Sequence, residues 1–599
     1  MKKRVEFVNP FIGTAGSGHA LVGPLHPHGM VKLGPDTISL PCGGYDYTDG
    51  KILGFSHTHL EGVGGSGGRG NIMLSASVGD LKVEEKEFAS VYSHEDESAR
   101  VGYYQVRLLD YDINVELSAT KHCGFHRYTF PKTKDAHILV DVGHTLGKSF
   151  NLCFDGEIEA LNDHSFRGWG SYPLTRDREK RNVMKIYFYG ETSQPFESFQ
   201  LWSGREILEN SDKVSGSKVG LAMNYQFAEP SAVEVKVGLS FVSGDQAKIN
   251  LEKEIPAFDF NRCVQDCEDA WEAVLSRVQI QGNSKDSQIQ LYSALYRAMN
   301  QPTDYQEYDW YFDGVGQKDN NVYPSEGHGF YSDDWAIWDT FRTTHPLQNL
   351  LEPERTADQA LALLRMYDHG GWLPMCTGPA LGYNQTMIGH NASSVLLDAV
   401  VNGAEGIDLE KTYEAMEKQA LQEHPERRLR MLGVNKEYAE KGYLPYDSGF
   451  ESNFSVSESL EYIYGDWCTA QMAKRLGKKK EYELFSKRAQ NYKNLFDGAV
   501  GFMRPRLRDG SFVKDFSPTT AFKEGFCETS SWEYSFFVPH DVQGLINLVG
   551  GNQEFTDRLD EFFDRRLYNN QNETGIQTPF LYNYAGKPWK TQKTTLFYV

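Results

Sequence analysis

Two carboxylates stand inside an aromatic run between Cys527 and Asp541, CETSSWEYSFFVPHD, where Glu528 and Glu533 are flanked by Trp532, Tyr534, Phe536 and Phe537. Aromatic neighbours strip water from a carboxyl group, raise its pKa and keep it protonated as a general acid near neutral pH. Aromatic faces also stack on sugar rings, which makes Trp532 a candidate platform. The competing reading is a pair of surface glutamates on an aromatic helix, and the segment alone does not separate the two.

The same pairing of acids with aromatics recurs. FYSDDWAIWDTFRTTHP (330–346) gathers Asp333, Asp334, Trp335, Trp338, Asp339 and Arg342, which suits a bidentate grip on vicinal hydroxyls beside a stacking platform. An internal salt bridge at a helix start would use the same residues. SESLEYIYGDWC (457–468) and QNETGIQTPFLYNY (571–584) repeat the theme, and GGWLPMC (370–376) adds Trp372. Five aromatic clusters in one chain, four of them with acids, point to a carbohydrate site. His57 and His59, in GFSHTHLEGVGGSGG, share one face if the segment is a strand. They could ligate a metal, but no Cys or third His lies nearby, so hydrogen-bonding histidines are the stronger reading, and the pair counts among the candidate substrate contacts. The glycines behind them lack the lysine of a phosphate loop. There is no Gly-x-Ser-x-Gly elbow, no HExxH helix and no Cys–His nucleophile set. Carboxylate acid/base chemistry on a glycosidic bond is the best fit.

These residues need a scaffold, and 599 residues are too many for one hydrophobic core. To about residue 250 the chain reads as strands broken by Gly and Asp, for example NVELSATKHCGFHRYTF (114–130), HILVDVGH (137–144) and VEVKVGLSFVS (233–243), which predicts an antiparallel β-sandwich. Helical periods follow at 266–280, 284–301 (with Ser284 as cap), 353–368, 393–404, 407–421, 457–475, 477–496 and 551–566. Paired helices with Gly- and Trp-containing loops predict an α/α toroid. The expected division is 1–250 sandwich, 251–282 helical linker and 283–599 helical barrel. A net charge of −21 argues against nucleic acid or anionic membrane as partner, and leaves carboxylates for hydroxyl-rich ligands or a hard cation such as Ca²⁺. The eight cysteines are scattered and read as buried thiols. The N-terminus carries no apolar run and no segment is long enough to span a membrane, so the chain as it stands is expected in the cytoplasm.

Ten blocks together resemble glycoside hydrolase family 92, calcium-dependent exo-acting α-mannosidases that invert anomeric configuration. They are VNPFIGT, HGMVKLGPDT, GYDYTDGKILGFSHTHLEG, YSDDWAIWDTFRTTHP, GGWLP, SLEYIYGDWC, RAQNYKNLFD, GFMRPR, SWEYSFFVPHDVQGLI and PFLYNYAGKPWKTQ, in family order over nearly the whole chain. The resemblance implies a β-sandwich followed by an (α/α)6 barrel with the active site between them. It also implies a substrate ending in mannose, an oligosaccharide or glycoprotein N-glycan, and a periplasmic or secreted setting. It places the general acid at Glu533, with Glu528 as the alternative, and gives the terminal mannose to Asp339, Trp338 and Arg342. Ca²⁺ falls to Glu573, with Asn9 as a second contact. Relatives with Gln at the acid position act on mannosyl phosphate, so Glu533 implies an ordinary glycosidic leaving group.

Three departures from the family pattern bear on function. Asn572-Glu573 stands where α-1,2-specific members have His-Glu. Gly389-His390-Asn391-Ala392 replaces Gly-Asp-His-Ala. After PWKTQ the chain reads KTTLFYV, where the family has a GNDD-containing motif whose aspartates activate water. The expectation is therefore a barrel incomplete at its C-terminus, lacking the family's base. The alternatives are a fragment that binds carbohydrate without cleaving it, and an amidase acting on the glycan–asparagine bond, which would want the Cys–His–Asp set that is missing.

Overall fold

The computed structural model describes residues 3–16, 18–62, 69–147, 152–173, 183–208, 211–281, 284–315, 321–334, 336–376, 382–383, 387–449, 454–519, 524–570 and 572–598, without the side chains of 427–429. Chain contacts divide it into two compact units, Met1–Trp335 with Thr377–Gly382, and Ala336–Cys376 with Tyr383–Val599.

The first unit is the expected antiparallel sandwich. One sheet runs Gly34–Thr37, Lys51–Ser56, Met73–Val78, Thr133–Asp141, Val219–Phe227, Ser198–Ser203 and Glu206–Leu208, with Ser90–Val91 beside Lys51–Ser56. The other runs Lys213–Ser215, Asp155–Ala160, Ser165–Pro173, Val183–Thr192, Ser231–Ser240, Cys123–Phe130, Ile113–Ala119, Tyr103–Leu108 and Glu97–Arg100. Its strands show why the sequence alternates. In Tyr103–Leu108, Tyr104, Val106 and Leu108 are buried, and the residues between them turn outward. Helices Gly244–Glu254, Phe260–Leu275 and Lys285–Ala298 complete this unit, each started by a side-chain cap from Ser243, Asp259 or Ser284. Trp271 anchors the second of these: its buried indole donates to the Leu25 carbonyl at 2.7 Å and its ring centroid lies 4.4 Å from that of Tyr296. The unit boundary thus falls after the helices at 260–298, whereas the sequence division placed a linker at 251–282 and opened the barrel at 283.

The second unit is helical. Its longest helix, Ser455–Arg475, is buried on nearly every side and packs against Ala392–Val401, Leu409–Leu421 and Lys479–Arg488. A helix enclosed this way usually carries apolar residues all round. This one instead carries Glu458, Glu461 and Asp466 inward, so it is the scaffold for charged chemistry. Pro353–Gly370 begins on Pro at its first turn and ends at Gly371, whose φ of 82° is the left-handed cap that only glycine adopts freely. The helix predicted over 477–496 stops at Arg488 and gives way to a 3₁₀ turn, Asn491–Asn494. No helix among the described residues is long and apolar enough to cross a membrane.

Candidate active site

Asp334, one of the acids singled out in 330–346, is a structural hub of the first unit. It accepts from Lys32 at 3.2 Å, from Arg69 at 2.9 Å and from the hydroxyls of Thr303 and Tyr305 at 2.5 Å. Here the salt-bridge alternative holds. The candidate substrate contacts His57 and His59 are likewise corrected to internal hydrogen-bonding residues, both buried. His57 meets the Ile72 carbonyl at 2.7 Å and His126 at 3.1 Å; His59 meets the Lys32 carbonyl at 2.6 Å and Asp36 at 2.8 Å. With every ring nitrogen engaged, neither is left for a metal or a sugar.

The chemistry gathers in the second unit, around Arg342. This side chain is 3% exposed, donates Nη2 to Glu461 at 2.8 Å and Nε to the Trp338 carbonyl at 3.0 Å, and lies over the rings of Trp338, Phe341 and Phe537. Glu461 also accepts from the Trp338 indole at 2.9 Å. Trp338 is therefore not the expected sugar platform: it is 0% exposed and braces the Arg342–Glu461 pair. Trp532 packs into the core against Phe502 and Phe562 with Arg565 over its ring, and Trp372 sits in a separate cluster with Met375, Leu432 and Lys418. Stacking needs an open aromatic face, and all three are buried.

What the braced arginine offers is a free donor. Among the described residues Arg342 Nη1 has no hydrogen-bond partner, and neither have Asp339 Oδ1 and Glu461 Oε2. Buried donors and acceptors left open in one place are costly unless a ligand closes them. A matched set of this kind suits the adjacent hydroxyls of a sugar. Asp339 itself has its proton affinity raised well above the usual range, by burial first and then by its hydrogen bond to Glu573. The acid-and-aromatic cluster at 457–468 points to this helix without singling out Glu458 or Glu461, because glutamate in a helix ordinarily faces water. The available signal was their spacing of three within a run otherwise made of Ser, Val, Leu, Tyr and Ile.

Glu533 stands on the short helix Ser531–Tyr534 and is 2% exposed. Burial pushes its pKa up to about 8, with the negative charge of Glu573 adding to it against the opposing effects of Thr529 and Arg342. The Thr574 hydroxyl donates to its Oε1. Glu528 is more open, accepts from Asn572 Nδ2 at 3.0 Å, and is raised by burial and by Glu573. The 3₁₀ turn Glu573–Gly575, capped by Asn572, thus touches both candidate acids. Both Thr574 and Gly575 lie in the 571–584 cluster, where nothing in residue type or spacing singles them out.

The two donors implied for calcium do not amount to a cage. Calcium takes six to eight oxygens. Asn9 spends its carbonyl oxygen on the Phe11 amide at 3.0 Å, Glu573 pairs with Asp339, and among the described residues no group of three or more His, Cys, Asp or Glu is placed to hold an ion. His390 and Asn391, the residues of the altered Gly-Asp-His-Ala block, are buried. Burial lowers His390 to about 3, so it is neutral, and the Asn391 amide donates to the Ile388 carbonyl at 2.9 Å. All eight cysteines are buried, an arrangement unlike an exposed amidase nucleophile.

Residues 246–599 match the glycosyl hydrolase family 92 catalytic domain and residues 7–240 its N-terminal domain. A solved family GH92 α-mannosidase of Bacteroides thetaiotaomicron superposes with a TM-score of 0.89 at 31% identity, covering 99% of this chain and 79% of its own. An inverting family GH92 mannosidase of the same organism gives 0.89 at 27% identity, covering 99% and 81%. An uncharacterised secreted glycosidase of the fungus Arthroderma benhamiae is 29% identical over 99% of this chain and 78% of its own length. These matches take in nearly all of this chain and 78–81% of each relative's own length, and they do not establish the expected truncation of the barrel.

Proposed function

The chain belongs to glycosyl hydrolase family 92, and from that premise we propose that it removes terminal α-linked mannose from N-glycans or mannans, with inversion and with Glu533 as general acid. The observation that carries this reading is the Glu533 carboxyl, buried and protonated to about pH 8, beside the open donor and acceptors around Arg342. Arg342 Nη1 and Asp339 Oδ1 hold two adjacent hydroxyls of the terminal sugar. Glu461 and Trp338 keep the guanidinium in place. Glu533 gives its proton to the glycosidic oxygen as the bond breaks, and water attacks the opposite face of an oxocarbenium-like centre. An α-mannosidase of the same family was solved with mannoimidazole, which supports mannose as the sugar held. The secreted description of the fungal relative supports a role outside the cytoplasm.

A second reading, carbohydrate binding without turnover, needs only the open donor and acceptors of Arg342, Asp339 and Glu461. Hydrolysis of an α-mannobioside, with and without a chelator, decides between the two. Mannose release supports the glycosidase; mannoimidazole bound without any release leaves the binding protein. Loss of turnover on chelation would bring calcium into the reading, with donors beyond Glu573 and Asn9.

The pH dependence has a definite sign. The acid must be protonated, so kcat/KM is expected to fall as pH rises through about 8. Stability moves the same way. Between the unfolded carboxyl range near 4.5 and the folded value of about 8, the folded state binds the proton more tightly, so Glu533 contributes less to stability as pH rises across that window. A profile of kcat/KM whose alkaline limb lies below pH 6 would contradict the acid assignment.

A further inference from the structure

We infer that the turn Asn572–Gly575 is the positioning element of the general acid, with Thr574 directing the transferable proton to one carboxyl oxygen and Gly575 making room for it. This rests on Glu533 being the acid. The Thr574 hydroxyl, buried, donates to Glu533 Oε1. The same hydroxyl also reaches Asn572 Oδ1 at 3.3 Å; when it donates to Glu533, Oε1 is the carbonyl-like oxygen of the protonated carboxyl and the proton to be transferred sits on Oε2. Thr574 is itself held: its backbone amide donates to Asn572 Oδ1 at 3.3 Å, while Asn572 Nδ2 donates to Glu528 Oε2 at 3.0 Å. The turn is thereby tied to both carboxylates of the aromatic segment.

Gly575 completes the device from the other side. A Cβ at this position would lie 2.7 Å from Glu533 Cδ and 3.0 Å from Oε2, closer than side chains tolerate. The neighbour that gives way is the carboxyl itself, the far end of a side chain, so any larger residue moves the acid. The turn backbone therefore packs flat against the group that must deliver the proton. Glu528, which precedes the acid by five residues, holds a φ of 58°, an uncommon backbone conformation for a residue with a side chain.

The test compares Thr574→Val, Thr574→Ser and Gly575→Ala on two substrates. One is an α-mannobioside, whose sugar leaving group needs a proton; the other is 2,4-dinitrophenyl α-mannoside, whose leaving group needs none. Misplacing the acid is expected to lower kcat on the mannobioside roughly 10–100-fold with KM unchanged, within the range acid catalysis supplies. The dinitrophenyl substrate is little affected, and Thr574→Ser recovers the mannobioside rate because it restores the donor. Equal losses on both substrates, or no recovery by serine, would overturn the inference. A crystal structure of Thr574→Val gives an answer independent of activity: the Glu533 carboxyl is expected to leave its place, and a carboxyl unmoved would overturn the positioning role. If the unmodified protein hydrolyses neither substrate, the glycosidase reading fails, and the crystal structure still decides what the turn does.

Discussion

Glu533→Gln is expected to lose about 10²–10⁴-fold in kcat/KM on an α-mannobioside, the span of general acid catalysis. On 2,4-dinitrophenyl α-mannoside the same variant keeps most of its rate, since that phenolate departs without a proton. The asymmetry is the informative part. Glutamine has nearly the shape of glutamic acid and can fill the same buried space against Gly575 and Thr574, so packing is preserved while the proton is gone. A uniform loss on both substrates would make Glu533 a structural residue. A uniform absence of effect would move the acid to Glu528, which is also raised by burial but is more open to solvent.

The second large effect concerns the buried pair under the site. Arg342 is 3% exposed and Glu461 0%, and the guanidinium is the cation facing Asp339, Glu461, Glu528 and Glu533. Removing one partner of a buried pair leaves an uncompensated charge and costs about 3–5 kcal/mol. Arg342→Met is expected to destabilise by that amount in urea unfolding, with Glu461 the main group left stranded. Neutralising the partner as well, in Arg342→Met with Glu461→Gln, is expected to recover part of the loss. Strict additivity of the two single changes would mean that they do not act as a pair. Substrate binding should fall in both variants, because the open Nη1 donor is gone.

The fold was legible in its periodicities. The segments read as strands at 114–130 and 137–144 correspond to Ile113–Ala119, Cys123–Phe130 and Thr133–Asp141, the last ending before Val142, and Ser284 opened its helix as its side chain predicts, accepting from the Ser287 amide. Element ends were less legible. The helix from Lys479 stops at Arg488 although charged residues continue, because Asn491 and Asn494 favour a turn over another helical round. At the site, the aromatic dressing of Glu533 was readable because burial by neighbours in sequence is a local property. The same reasoning misled at Trp338, Trp372 and Trp532. Tryptophan beside an acid looks alike whether its face is open to sugar or packed in a core, and only tertiary contacts distinguish the cases. Glu461 was hidden for the opposite reason, since its partner Arg342 lies 119 residues away. Thr574 and Gly575 act through one hydroxyl and one missing Cβ, neither of which leaves a pattern in composition or spacing.

The central claim is that this chain breaks α-mannosidic bonds with inversion, using Glu533. Proton NMR of α-mannobioside hydrolysis, read in the first minutes before the product mutarotates, tests it most directly. The account predicts free mannose appearing first as the β-anomer, and none above background with Glu533→Gln. Mannose appearing first as the α-anomer, or no mannose released by the unmodified protein, would contradict it.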